Sequence, residues 1–407
     1  MGGTNFLLCL ECVQCRRQYS FLEINNTCSC GYPLLVKYDL KRMRNEVKKS
    51  ILKERPGTLW RYQEFLPVIN TNNNITLGEG YTPIIKVDSI GKLLGLNELY
   101  LKNEGLNPTG TFKDRGASVA VSKALELKIP AAIMNSSGNA AAAWSVYSAK
   151  SGLDLYVLMP HDVQESCLKQ CYLSKVHILL FKTAIHKLDR FADKLSKKLG
   201  IFNANSFREP FRLEGKKTMG LEIAEMFQWE LPDVIIYPTG TGTGIVGIWK
   251  AFSELTEVGW ISPKNPRLVV VQLEGCAPYV KAFDENKSEC DLWENVHNVL
   301  GGLRSPKPRC DFMVLDILRR TNGKALAVSL KETMDAQIEI AEKEGLHVCP
   351  EGATTFVALK KLKADGWIRP DEKILLINTG NGLKYLPLID VPKLPTVENE
   401  EDIPNEW

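Results

Sequence analysis

Apolar residues along this chain gather into short runs that predict strands: Leu99–Leu101, Ala131–Met134, Leu155–Met159, His177–Phe181, Val234–Tyr237, Leu268–Leu273 and Lys373–Ile377. Between them the apolar spacing changes to three and four, which predicts helices at Ala117–Leu127, Ala140–Ala149, Leu188–Leu199, Gly220–Gln228, Ile245–Leu255, Lys331–Glu344 and Thr354–Ala364. Strand and helix alternate from Leu77 to about Pro392. That alternation predicts an α/β protein with mostly parallel sheets and helices on both faces. Three further zones flank it: a cysteine-rich start over residues 1–40, a basic stretch Tyr38–Pro56 read as one amphipathic helix, and an acidic, Pro-containing tail Lys393–Trp407 expected to be mobile. No internal repeat is visible.

Size and charge narrow the class. A chain of 407 residues suits about two domains, and 44% hydrophobic with 24% charged residues is the composition of a soluble globular protein. The net charge of +3 argues against nucleic acid or an acidic membrane surface as partner. No apolar run nears the roughly 20 residues of a membrane helix. Met1–Leu10 reads neither as a signal nor as a transit peptide, and Phe6 stands where a myristoylation pattern needs Ser or Thr. The cytoplasm is the expected compartment. Eleven cysteines, five of them within the first thirty residues, argue against a disulfide framework and for metal. Cys12-x-x-Cys15, twelve residues, then Cys28-x-Cys30-Gly31 has the ligand spacing of a small structural zinc knuckle, with a metal-free, packing-held module as the alternative. Cys9 is spare.

In parallel sheets, ligands sit beyond the carboxyl ends of strands. Four loops occupy such places. Asn107–Gly116 opens a helix and carries Lys113, where the positive helix end disfavours an ammonium and burial would lower its pKa further. A neutral amine suits imine chemistry, and a solvated surface lysine explains this loop equally well. Asn135-Ser136-Ser137-Gly138-Asn139 clusters small donors at the start of an Ala-rich helix, fit for a carboxylate or phosphate or, more plainly, for helix capping. Thr239-Gly240-Thr241-Gly242-Thr243-Gly244 follows a strand and opens a helix, as a phosphate cup does. Gly242-x-Gly244-x-x-Gly247 also has the form of a dinucleotide fingerprint, but Glu274 stands 27 residues past Gly247, against roughly 20 expected. Thr379-Gly380-Asn381-Gly382 places a hydroxyl where a heteroaromatic nitrogen could meet it, though alone it reads as an ordinary turn.

Together these segments resemble the threonine synthase family within the fold type II, tryptophan-synthase-β-like pyridoxal-phosphate (PLP) enzymes. The resemblance rests on Leu77-Gly78-Glu79-Gly80-Tyr81-Thr82-Pro83, the Lys113 loop, Ser136–Asn139, Arg212-Leu213-Glu214-Gly215-Lys216-Lys217-Thr218, Gly240–Gly244, Glu274–Pro278 and Asn378–Lys384, all in family order over residues 77–385. It implies two three-layer α/β domains: a large PLP-binding one over 41–115 and 200–392, and a small mobile one over 116–199. It implies Lys113 as Schiff-base lysine and proton carrier, and Asn139 as partner of the cofactor ring hydroxyl. Gly240, Thr241, Gly242, Thr243 and Gly244 become the phosphate cup, and Thr379 the ring-nitrogen partner. Ser136, Ser137 and Gly138 hold the substrate carboxylate, and Arg212 the substrate phosphate. The implied reaction removes phosphate from O-phosphohomoserine and adds water to give threonine, in a homodimer.

The chain departs from the family pattern in three places. Ser206-Phe207-Arg208-Glu209 stands where the family has Asn-Ser-x-Asn, Ala140 follows the Ser-Ser-Gly-Asn motif where many members have Thr, and the cup alternates Thr with Gly. All three touch substrate rather than Lys113, so replacement or elimination on O-phosphoserine, Ser or Thr stays open, with a nicotinamide oxidoreductase a more distant reading. The five His residues, the Cys167/Cys171 pair and the basic run Lys41–Arg55 carry no motif.

Overall fold

The computed structural model describes residues 5–136, 138–182 and 185–389; Ser137 and the acidic tail lie outside the described residues. In chain order its strands are β1 (Leu7–Cys12), β2 (Gln18–Tyr19), β3 (Leu34–Tyr38), β4 (Ile84–Lys86), β5 (Leu99–Asn103), β6 (Ala131–Asn135) and β7 (Asp154–Pro160). They continue with β8 (His177–Phe181), β9 (Phe202–Asn203), β10 (Val234–Pro238), β11 (Arg267–Leu273), β12 (Lys324–Val328) and β13 (Ile374–Asn378). The α-helices are α1 (Leu40–Glu46), α2 (Asp88–Leu94), α3 (Lys113–Glu126), α4 (Asn139–Ser151), α5 (Glu165–Leu173) and α6 (Ile185–Leu199). After them come α7 (Arg212–Met226), α8 (Thr243–Val258), α9 (Pro278–Asp284), α10 (Asp311–Arg320), α11 (Leu330–Glu344) and α12 (Pro350–Ala364).

Three sheets result. The large one runs β12-β11-β10-β13-β5-β4, parallel except for β4 against β5. A second, fully parallel sheet runs β8-β7-β6-β9, and an antiparallel β2-β1-β3 sheet forms the cysteine-rich start. The large sheet is covered on both faces, as side-chain alternation shows. Ile235 and Tyr237 of β10, Val270 of β11 and Leu375 of β13 join a core with Leu221 and Ile223 of α7 and Ile245 and Leu255 of α8. Their neighbours Val234, Ile236, Val269 and Leu376 join another with Ile340 of α11 and Phe356 and Leu359 of α12. Successive side chains of a strand point to opposite faces, so a strand sandwiched between helix layers must be apolar throughout.

Two expectations need correction. Tyr38–Pro56 is not one helix: α1 ends where Val47 takes an extended conformation, and Lys49–Glu54 forms a separate 3-10 turn. The buried Met43, Val47 and Leu52 are spaced four then five, which one straight helix cannot keep on a single stripe. The helix expected at Gly220 starts eight residues earlier, at Arg212. Its first two turns, Arg212–Met219, are buried on all sides, charged residues included, so no amphipathic period announces them.

Most of the buried charges on and around α7 are paired. Arg115 of α3 donates to Glu104 at 2.6 and 2.7 Å and to Glu222 of α7 at 2.5 and 2.7 Å, and Lys102 Nζ donates to Glu222 at 2.9 Å. Lys217 meets Glu214 at 2.5 Å and Glu254 at 2.8 Å, and Tyr38 donates to Glu214 at 2.9 Å. The cluster ties α3, α7 and the end of β5 together. The two helices can approach this closely because glycines face each other: a Cβ on Gly215 would collide with the Arg115 carbonyl, and one on Gly116 would lie 2.9 Å from the Arg212 carbonyl oxygen. This crossing fixes the start of α3, where Lys113 sits, against the start of α7.

Candidate active site

The four loops singled out from the sequence open at the carboxyl ends of β5, β6, β10 and β13 and meet in one cleft. Lys113, Asn139, Gly240, Thr241, Gly242, Thr243, Gly244 and Thr379 all line it. A cavity of about 770 Å³ adjoins it and shares Lys113, Asn139, Thr241 and Gly302, with Ser136, Gly138, Ser206 and Arg208 in its walls. Arg212 lies behind that wall. Its guanidinium donates to Glu209 at 2.8 Å, to Ser206 Oγ at 3.1 Å and to the Ala204 carbonyl, and stacks 5.1 Å over Trp144.

Lys113 is the first residue of α3. Burial, with the Arg212 guanidinium adding to it, lowers its amine to about 8, so about a tenth of it is neutral at pH 7. The turn before it is pinned by Asp114, whose carboxylate accepts from Thr109 N at 2.7 Å and Thr109 Oγ1 at 2.5 Å, and by Lys384 Nζ on the Thr109 carbonyl at 2.9 Å. Thr111 also bridges to Gly380, which joins the Lys113 turn to the Thr379 loop. Gly242 caps α8 in the left-handed region, φ 80°, and Thr243 begins the helix. A Cβ on Gly242 would strike Val314 at 2.5 Å and the Tyr279 hydroxyl at 2.7 Å, so glycine is required there by both backbone and packing. The first N–H groups of α8 have no intrahelical acceptor and open toward the cleft.

The structure adds residues that the loop-by-loop reading missed. Asn139 Nδ2 donates to the Tyr385 hydroxyl at 2.8 Å, which donates to Glu351 Oε1 at 3.1 Å, and Gly302 N reaches the same oxygen at 3.2 Å. Burial raises the Glu351 carboxyl pKa. Among the described residues, Glu351 Oε2 and the Tyr237 hydroxyl are buried without a hydrogen-bond partner, so the cleft offers polar groups to a ligand. Cys349, buried beside Thr379 at 3.6 Å between sulfur and hydroxyl, caps α12 by accepting from Gly352 N at 3.2 Å. Glu351 lies in α12 and Cys349 caps it, and no strand directly precedes that helix, so reading loops after strands passed them by. Cys349-Pro350 before an apolar run was the signal available. Lys216, the other omission, is buried in α7 with Nζ donating to Thr243 Oγ1 at 2.5 Å.

At the other end of the chain Cys12, Cys15, Cys28 and Cys30 converge, all four sulfurs lying within 4.8 Å of one another. The shortest separations are 3.4 and 3.5 Å, a little under the ~3.8 Å edge of a tetrahedral zinc–thiolate site. Cys9 stays outside this cluster. The module is not remote from the cleft. Cys30, Gly31, Tyr32 and Pro33 line the large cavity, Tyr32 packs edge-on against Phe312 at 5.9 Å, and Asn26 Nδ2 donates to the carbonyls of Asn203 (2.8 Å) and Arg208 (3.0 Å).

Residues 75–380 match the family described as pyridoxal-phosphate dependent enzyme. Among curated proteins, the chain is 37% identical to a threonine synthase of Methanocaldococcus jannaschii over 375 residues, 92% of each chain. It is 35% identical to one of Methanosarcina acetivorans over 391 residues, 95% of each. Among solved structures, a maize serine racemase superposes with a TM-score of 0.63 at 21% identity, over 75% of this chain and 91% of that one. A pyridoxal 5'-phosphate-dependent aspartate racemase does so with 0.66 at 17%, over 84% and 99%.

Proposed function

Because the chain belongs to the pyridoxal-phosphate-dependent enzyme family, we propose that it is a threonine synthase, a lyase that acts on O-phosphohomoserine. The observation that carries the reading is the convergence of Lys113, Asn139, the 240–244 loop and Thr379 on one cleft, in a chain that aligns with threonine synthases over nearly its whole length. The unsatisfied polar groups of the cleft and its lowered amine suit an anionic heteroaromatic aldehyde. Bound there, pyridoxal phosphate supplies an electron sink for carbanion chemistry at the substrate.

The remaining work falls to the protein. Lys113 would hold the cofactor and carry protons at the substrate, roles suited to an amine that burial lowers to about 8. Asn139, held by Tyr385, offers its amide to the ring hydroxyl. Thr379 offers a neutral hydroxyl to the ring nitrogen, which leaves that nitrogen without a fixed proton and favours elimination and replacement over transamination. Gly240 to Gly244 take the cofactor phosphate on backbone N–H groups and the Thr241 and Thr243 hydroxyls. Ser136 and Gly138, which lead into α4, take the substrate carboxylate together with Ser137. Arg212 takes the substrate phosphate, beside Ser206 and Arg208. The cysteine cluster holds a structural zinc ion. Residues 116–199 form the smaller, movable unit. The enzyme works as a cytoplasmic homodimer; no described helix is long and apolar enough to cross a membrane.

Purified protein incubated with O-phosphohomoserine is expected to release inorganic phosphate and form threonine. Failure to release phosphate would overturn the substrate. Turnover of O-phosphoserine, Ser or Thr in its place would establish the second reading, favoured by Phe207 and Glu209 in the departing segment.

A further inference from the structure

We infer that Lys216 supplies the cationic half of the cofactor-phosphate site. The inference rests on the reading of the cleft as a pyridoxal-phosphate site. α7 buries Lys216 to 2% exposure and directs its Nζ onto Thr243 Oγ1 at 2.5 Å. Thr243 opens α8, so the amine stands at that helix's positive end, beside N–H groups with no intrahelical acceptor. A helix N-terminus and a buried amine disfavour each other, and both are relieved by one anion between them.

Lys216 differs from the other buried lysines. Lys102 meets Glu222 at 2.9 Å, Lys123 meets Glu126 at 2.6 Å and Lys217 meets Glu214 at 2.5 Å. Lys216 has the Thr243 hydroxyl and, 5.2 Å away, the face of Phe112, a ring it shares with Lys113 at 4.3 Å; among the described residues no carboxylate pairs with it. A buried amine without an anion is costly unless something else brings the charge. The alternating Thr and Gly of the cup supply hydroxyls and amides but no cation, and Lys216 fills that gap. Arg212 is differently placed, bound to Glu209 and turned toward Ser206.

The test separates phosphate from ring. Lys216→Met and Lys216→Gln are titrated with pyridoxal phosphate and, separately, with pyridoxal, which lacks the phosphate. The expected result is a rise in Kd for pyridoxal phosphate of about tenfold or more, the fold-change of one charge-assisted hydrogen bond. Pyridoxal affinity stays within twofold of wild type, and the cofactor-free variants melt no lower than the cofactor-free parent. Equal effects on both ligands, or none on either, would overturn the assignment. So would an unchanged cofactor Kd with a raised KM for O-phosphohomoserine, which would hand Lys216 to the substrate. A parent protein that binds neither pyridoxal nor pyridoxal phosphate refutes the cofactor reading itself, an outcome distinct from all of these.

Discussion

At the scale of single residues, the proposed chemistry turns on the Lys113 amine, which burial lowers to about 8. An ammonium has no lone pair to attack an aldehyde, so the rate at which cofactor-free protein takes up pyridoxal phosphate should follow the neutral fraction of Lys113. Because its pKa is lowered rather than raised, that fraction is small below about 8 and saturates above it. The uptake rate is expected to be about tenfold lower at pH 7 than on the high-pH plateau, measured by stopped-flow absorbance. Lys113→Ala should abolish both the absorbance band of the attached cofactor and turnover. Lys113 was legible in the sequence because it sits in a loop between a recognisable strand and helix. Lys216 was not, because a lysine inside a Lys-Lys pair reads as solvated until the fold shows α8 lying over it.

At the scale of elements, the crossing of α3 and α7 places one loop against another. Gly215→Ala is expected to be destabilising by about 3 kcal/mol, seen as a drop of several degrees in Tm, because the added methyl meets backbone of α3 rather than a movable side chain. Lost cofactor affinity should accompany it, since the starts of both helices bear on the cleft. β10, β11 and β13 were readable because a strand covered on both faces is a continuous apolar run. β12, Lys-Ala-Leu-Ala-Val at the sheet edge, and the three-residue β4 carry too little apolar weight to stand out. The early turns of α7 were hidden for the opposite reason: Glu214 is buried against Lys250 and Lys217 against Glu254, residues distant in the chain, and sequence periodicity reports solvent, not partners.

At the scale of the whole molecule, the cysteine module and the cleft form one structure. Asn26 grips two carbonyls of the segment 203–208 that carries Ser206 and leads into Arg212. Asn26→Ala is expected to raise KM for the phosphorylated substrate about fivefold while leaving the Kd for pyridoxal phosphate unchanged, since two neutral hydrogen bonds to a positioning loop are lost and nothing at the cup is touched. On the proposal that the four cysteines hold zinc, a chelator should do the same and lower Tm as well; an unchanged KM after chelation would separate the module from substrate binding. Cys30 is at once a member of the sulfur cluster and part of the cavity wall. Cobalt(II) set among the four thiolates would be coloured where zinc is silent, and its visible spectrum answers to small changes in ligand geometry. A cobalt-loaded protein would therefore carry its own optical gauge of whether the cleft is filled, readable with a substrate analogue that never reacts.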